Sequence, residues 1–334
     1  MCSTYLAPAI DSDLACKHSR PSLKLLWSVT VHVLLVYVIG FISHHYNAEF
    51  RRQRKLSLSI LKEFGFGKSI MEERIQTEVS VLLQQIRDIK SVAFCPDAVL
   101  RSRVLSVIAS ILFGHHMEDT AVGELGKTAS DFLRTNGDFT VVDFFSPLLR
   151  FLPKMRRTFS ALVALNNQFF HMITNYIETA EEDSFVRYYM NREGSNLDRE
   201  QLEFIVRDFV LAGSETVTST LQWALLLLAG RDGQCVQECL WKEIDAQVPR
   251  ERLPSLTDHP HIPFVEATIL EVMRVRTVAP LALAHRTSCD TSVGGYFIPA
   301  NTMVSHSTDI VFIIFCSKAH ELQFLGHQIS WVSD

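Results

Sequence analysis

Hydrophobic residues in this chain recur at three- and four-residue spacing over most of its length, the period of helices that pack on one face. Residues 70–89 place Ile75, Val79, Leu82, Leu83 and Ile86 on a common face. Acidic residues open that segment, and Arg87 and Lys90 stand near its end, where cations complement the helix dipole. Residues 98–113 form a second amphipathic pattern that stops at Gly114. Phe132, Phe144 and Phe145 precede turns at Pro147 and Pro153, and a long helix is expected over 155–179. Asp198 suits the N-cap of a further helix over 201–229, with Gln201 three residues on as in a capping box. That helix is apolar enough to belong deep in a core. After the Pro- and His-containing connection 253–263, a short helix over 264–275 breaks before Pro280. Strand character comes last: Gly294-Gly295 leads into Tyr296-Phe297-Ile298, and Pro299-Ala300-Asn301 leads into Thr302-Met303-Val304, which predicts a hairpin. The fold class is therefore mainly α, with a small β remnant.

One run departs from amphipathic patterning. Residues 25–42, LLWSVTVHVLLVYVIGFI, carry no charge when His32 is neutral and reach the lower bound for a membrane span. A membrane anchor is expected there, the alternative being a buried core helix. Lys17, Arg20 and Lys24 precede it and Arg51, Arg52, Arg54 and Lys55 follow, which by a narrow margin places the C-terminal side in the cytosol. Composition narrows the picture further. The 334 residues carry a formal charge of −5, so the chain as a whole has no attraction for a phosphate backbone and nucleic acid is excluded as an expected partner. Seven scattered cysteines, an odd number without a CxxC pair, read as free thiols in a reducing compartment. Cys235 and Cys239 share a helix face and are expected as buried or half-buried thiols, with zinc the lesser reading.

Two motifs carry chemistry. The apolar helix contains Ala212-Gly213-Ser214-Glu215-Thr216, where an acid and an alcohol follow two small residues. Small residues let a flat ligand approach the backbone, and an acid–alcohol pair there can relay protons; by itself the pattern also describes a polar kink in a buried helix. Glu271 and Arg274, at i and i+3, share a face and can pair. Gly67-Lys68-Ser69 imitates a phosphate loop, but Lys62 occupies the place of the required first glycine, so nucleotide binding is not expected.

Taken in order, residues 212–216, the Glu271/Arg274 pair and Tyr296-Phe297-Ile298-Pro299 resemble the cytochrome P450 family. Phe64-Gly65-Phe66-Gly67-Lys68 and Pro254-Ser255-Leu256-Thr257-Asp258 narrow the resemblance to microsomal family 2, 2U-like enzymes in particular. It covers 50–304, between an N-terminal segment 1–24 with the anchor 25–42 and a divergent tail 305–334. The resemblance implies the P450 helical core with a remnant of its small β domain. It implies haem b, NADPH–cytochrome P450 reductase, a small apolar substrate such as a fatty acid, and the endoplasmic reticulum membrane with the domain facing the cytosol. By position, Ala212 and Gly213 match the small residues over the haem, and Glu215 and Thr216 match the oxygen-activating pair. Val217 stands for a commoner second threonine. Arg54 and His285 match propionate contacts, although Phe50 replaces a tryptophan and Ala284 a proline. Phe209 and the segment 278–283, with Val278, Ala279, Leu281 and Leu283, match substrate contacts; Glu271 and Arg274 match a structural pair.

The family's iron is held by cysteine in a Phe-x-x-Gly-x-Arg-x-Cys-x-Gly loop, which is not found among these residues; Cys316 is followed by Ser317-Lys318. No axial metal ligand is therefore expected, and with it little or no monooxygenase activity. The short interval before Arg51 likewise lacks the family's first sheet and B–C loop, and the divergent ends suggest an alternative transcript, a pseudogene or a faulty gene model. The alternative expectation is a non-catalytic, membrane-anchored protein that binds reductase or intact relatives through Arg51, Arg52, Arg54 and Lys55.

Overall fold

The computed structural model describes residues 4–5, 41, 46–65, 69–90, 92–114, 117–145, 153–280, 282 and 285–304. The apolar run 25–42, apart from Phe41, and the tail 305–334 lie outside the described residues. Among those described, no helix is long and apolar enough to cross a membrane.

Helices appear where the hydrophobic period places them. α1 (Ala48–Glu63) opens on Asn47, whose side chain accepts from the Phe50 N–H at 2.8 Å. α2 (Ser69–Ile89) and α3 (Pro96–Phe113) follow, the latter beginning on a proline whose missing N–H costs nothing at a first turn. α3 ends at Gly114 in the left-handed region, φ 90°. α4 (Asp119–Phe145), with its scattered glycines, was not legible as a helix. α5 (Pro153–Glu178) and α6 (Phe185–Glu193) lead through a 3₁₀ turn to α7 (Arg199–Ala229). α8 (Gly233–Gln247), the 3₁₀ turn Leu256–His261 and α9 (Pro263–Val275) complete the helical part. Asp198 caps α7 as expected, accepting from the Gln201 N–H at 3.1 Å. The reciprocal half of the expected capping box is replaced: the Gln201 side chain donates instead to Gln53 of α1 at 2.7 Å.

The core lies between α3, α4, α5, α6 and the first half of α7, where Leu105, Phe113, Phe169, Phe185, Tyr189 and Ile205 are sealed from solvent. Fully burying an aliphatic or aromatic side chain of this kind contributes roughly 1.5–3 kcal/mol. α7 is not buried throughout, which corrects the reading of it as a core helix from end to end. Its burial stops near Thr218, and Val217, Leu221, Leu225 and Leu226 reach solvent, Leu226 at 61% exposure. On α8, Cys235 is exposed and Cys239 half-buried, so the expected burial of the pair holds for one thiol only.

The β remnant pairs differently from expectation. β1 (Thr4–Tyr5), β2 (His285–Arg286) and β5 (Met303–Val304) form one antiparallel sheet in the order β1-β2-β5. β3 (Thr291–Val293) and β4 (Tyr296–Ile298) form a separate hairpin. Tyr296-Phe297-Ile298 thus pairs with the strand before it, across Gly294 and Gly295 at φ 60° and 85°, and not with Met303–Val304 after it. Two successive positive-φ glycines suit the two-residue turn that matches strand twist. The 299–302 turn is tied elsewhere: Asn301 N donates to Thr287 O at 2.8 Å and Thr302 N to Thr287 Oγ1 at 3.0 Å.

Phe169→Ala, in the sealed centre of α5, is expected to cost about 3–5 kcal/mol in urea unfolding. Trp241→Ser, at a side chain 73% exposed, should stay within about 0.5 kcal/mol. Gly114→Ala is expected to lose more than about 1 kcal/mol, because the residue sits at φ 90° and a Cβ there would stand 2.9 Å from Glu181 Cβ.

Candidate active site

Each residue turns an α-helix by about 100°, so Phe209, Ala212 and Thr216 fall along one stripe of α7. Ala212 and Thr216 are exposed and Phe209 is half-buried. The Thr216 hydroxyl donates to the Ala212 carbonyl at 2.7 Å, and that of buried Ser214 donates to Val210 O at 2.6 Å. Both hydroxyls are thereby satisfied within the helix. Gly213 is placed differently from the sequence reading, which set it against a ligand: Ile108 of α3 stands against it, and a Cβ would meet Ile108 Cδ1 at 2.8 Å.

The N-terminal end of the stripe is walled by aromatic rings. Phe209 packs edge-on to Phe185 at 5.3 Å and to Phe41 at 5.8 Å between centroids, and Phe41 in turn meets Phe50 at 6.2 Å. The Phe41 N–H donates to Asp208 Oδ2 at 2.6 Å. Asp208 is buried beside Arg207, 3.1 Å away, whose guanidinium lies over Phe204 at 4.6 Å and Phe170 at 5.2 Å. Neither Phe41 nor Asp208 was legible as a site residue, since their meeting spans 167 positions.

Glu215 follows the stripe by one residue before Thr216, about 100° round the helix from it. Its carboxylate pairs with Arg101 of α3, whose side chain is 13% exposed. Arg101 also donates to Asp97 Oδ1 at 2.7 Å, and Gln222, two turns beyond Glu215 on α7, donates to the same oxygen of Asp97. Burial acts to raise the Asp97 carboxyl, but hydrogen bonds from Arg101 and Gln222 and the charges of Arg101 and Arg134 outweigh it and hold it below the ordinary 3.8.

The remaining candidate residues lie on other elements. Glu271 and Arg274 do pair, through two hydrogen bonds of 2.7 and 2.6 Å. α9, which carries them, is fastened at its start by Glu243 of α8, which accepts from the Phe264 and Val265 N–H groups at 3.0 Å each. Near its end, Arg276 lies 4.7 Å over the Trp223 ring of α7. Val278 and Ala279 follow it and are exposed, whereas Leu281 and Leu283 lie outside the described residues. His285 is in β2, opposite Val304. Arg54 sits on α1 one turn after Phe50, with Tyr46, Arg51, Lys55 and Lys62 around a shallow groove of about 410 Å³. Arg52 is turned away from that groove by hydrogen bonds to Glu193 at 2.5 and 2.8 Å and to Glu49.

The stripe fits the expected flat cofactor in one respect: at Ala212 and Thr216 it is open to solvent and presents nothing larger than threonine. The donor set fits less well. Among the described residues no three His, Cys, Asp or Glu side chains are grouped to hold a metal ion. The described cysteines, Cys95, Cys235, Cys239 and Cys289, stand in none of the sequence settings of an iron-binding thiolate loop.

The family model described as Cytochrome P450 matches residues 36–311. Cytochrome P450 2U1 of Homo sapiens is 30% identical over 303 residues, 85% of this chain and 54% of the relative. Cytochrome P450 2D16 of Cavia porcellus is 31% identical over 280 residues, 79% of this chain and 56% of the relative. Cytochrome P450 2B2 of Rattus norvegicus is 30% identical over 290 residues, 82% and 57% respectively. The chain thus spans about half the length of the curated relatives it matches.

The depressed Asp97 carboxyl yields a pH dependence. A carboxyl held below its unfolded value stabilises the fold fully above about 3.8, and that stabilisation is lost as pH falls through the lower folded value. Asp97→Asn is therefore expected to lower the urea midpoint at neutral pH, with the gap to the unmodified protein closing below about pH 3.8. A gap of constant size across that range would contradict the assignment.

Proposed function

The chain belongs to the cytochrome P450 family, of microsomal family 2 type, and on that footing we propose that it forms the substrate-facing wall of a haem-dependent monooxygenase. The observation that carries the reading is the open Phe209–Ala212–Thr216 stripe with Glu215 beside it. Haem, when bound, supplies the iron chemistry by which one oxygen atom of dioxygen enters an apolar substrate, with electrons from NADPH through a reductase. The chain's own part is steric and protic. Ala212 leaves room for a ring system against the backbone of α7. Phe209, Val278 and Ala279, with Leu281 and Leu283, contact an apolar substrate such as a fatty acid. Arg54 and His285 receive carboxylates of the cofactor, and Thr216 moves a proton on the open side of the helix with Glu215 as its acid. Glu271 and Arg274 act structurally, by stiffening α9. The run 25–42 anchors the protein to the endoplasmic reticulum membrane, with the domain facing the cytosol.

These residues by themselves, on our reading, do not complete the cycle, because none of the seven cysteines occupies the iron-binding pattern. A second role has one observation in its favour. With Arg52 tied to Glu193, the cations left on one flank of α1 are Arg51, Arg54, Lys55 and Lys62, a surface that attracts an acidic partner such as a reductase.

The test is the carbon monoxide difference spectrum of the reduced, haem-supplemented chain in membranes. No thiolate-type Soret band is expected from well-expressed protein. Such a band would place one of the seven cysteines, Cys316 included, on the iron and remove the claim of inactivity. For the second role, reductase capture should weaken severalfold with added salt and in Arg54→Glu/Lys55→Glu; salt-insensitive capture speaks against it.

A further inference from the structure

We propose that the basic face of α1 rests on an anionic phospholipid surface, with Arg51, Lys55 and Lys62 meeting the lipid headgroups beside the place where the apolar run 25–42 ends. The position of that face at a bilayer rests on the reading of the run as a membrane anchor. Its chemistry rests on the described side chains of α1 alone.

Arg51, Lys55, Leu58 and Lys62 stand at i, i+4, i+7 and i+11, which brings them onto one face of α1 over about 17 Å. All four are exposed, and with Tyr46, Phe50, Arg54 and Ser59 they line the groove. The two acids of α1 serve its other flank. Glu49 accepts from Arg52 and Gln53, and Glu63 accepts from Arg192 of α6 at 2.6 Å. Arg52 is in turn held by Glu193 of α6. Among the described residues no carboxylate pairs with Arg51, Arg54, Lys55 or Lys62, and Arg51 instead lies 5.7 Å from the centre of the Tyr46 ring. A row of like charges without counter-charges on its own helix is attracted to an anionic surface.

Two features favour lipid over an acidic protein. The first is position. Phe41, inside the apolar run, packs edge-on to Phe50 of the groove at 6.2 Å, and its N–H is held by Asp208. A run that enters a bilayer from Phe41 keeps the groove within reach of the surface potential, which decays over about 8 Å. The second is the mixture of side chains. Leu58, 44% exposed, and Tyr46 stand among the cations, the combination of apolar, aromatic and basic groups that lies in a headgroup layer.

The test is lysine acetylation of the full chain reconstituted into vesicles, with acetic anhydride as reagent and peptide mass spectrometry as readout. Vesicles of phosphatidylcholine alone are compared with vesicles in which about one third of the lipid is phosphatidylserine. Labelling at Lys55 and Lys62 is expected to fall about fivefold in the anionic vesicles and to recover at about 0.5 M salt. Lys242 of α8, exposed and outside the groove, should stay within about twofold. Arg51→Gln removes one exposed cation and should relieve the protection of Lys55 and Lys62 severalfold. Equal labelling of Lys55 and Lys62 in the two kinds of vesicle overturns the proposal, as does an equal fall at Lys242. Protection that appears only on addition of reductase assigns the face to an acidic protein and overturns it as well. Alkaline carbonate extraction of the same vesicles judges the anchor separately. A chain released by carbonate removes the anchor reading, while labelling at neutral pH still decides the basic face.

Discussion

The seam between α3 and α7 is the contact on which the rest of the described structure depends. α7 is 31 residues long, about 46 Å of helix, and every candidate chemical group in the centre of the molecule is on it or against it. Which of its faces stays open follows from how α3 lies along it. That placement is set by close approach at Gly213, where Ile108 leaves no room for a Cβ, and by the polar bridge from Arg101 and Asp97 to Glu215 and Gln222. With α3 on one flank and α4, α5 and α6 covering the first half, Ala212 and Thr216 are among the α7 residues left exposed. The seam thus defines the site without belonging to the stripe itself.

Charged groups are the second organising element. Arg103 of α3 is buried and meets Glu78 of α2 at 3.1 Å as well as Asp119 at the start of α4. Arg207 and Asp208 are buried side by side, and Asp208 spends its second oxygen on the Phe41 backbone. Arg52 joins α1 to the end of α6 through Glu193. Desolvation offsets much of the attraction in such pairs, so their net stabilisation is small beside that of the apolar core. What they contribute is discrimination, because a slipped helix would strand a buried charge at a cost of several kcal/mol. Phe41, whose N–H is held by Asp208, joins the aromatic wall formed with Phe50, Phe209 and Phe185.

Functionally, the molecule places an acid, an alcohol and small residues on one helix whose second half is open to solvent. Val217, Leu221 and Leu225 lie along that open side, apolar yet exposed, on the helix that bears the proposed pair. The chain spans about half the length of the curated relatives it matches.

The sequence by itself determined the helices, because a 3.6-residue period and local caps leave a signature within a dozen residues. Residues 70–89, 98–113 and 264–275 could be drawn to within a few positions of α2, α3 and α9, and the Glu271–Arg274 pair followed from spacing alone. The family motifs were legible for the same reason, being short runs with fixed order. What only the tertiary structure decided were meetings between distant residues. Arg101 lies 114 positions before Glu215, and no periodicity links them. β4 could have paired with either neighbouring strand, and the positive φ of Gly294 and Gly295, together with Thr287 holding the later turn, decided for β3. The apolar pattern of α7 predicted burial along all of it, yet a helix is buried only where another element covers it. A sequence records what each residue prefers to touch; which partner arrives is a property of the packed chain.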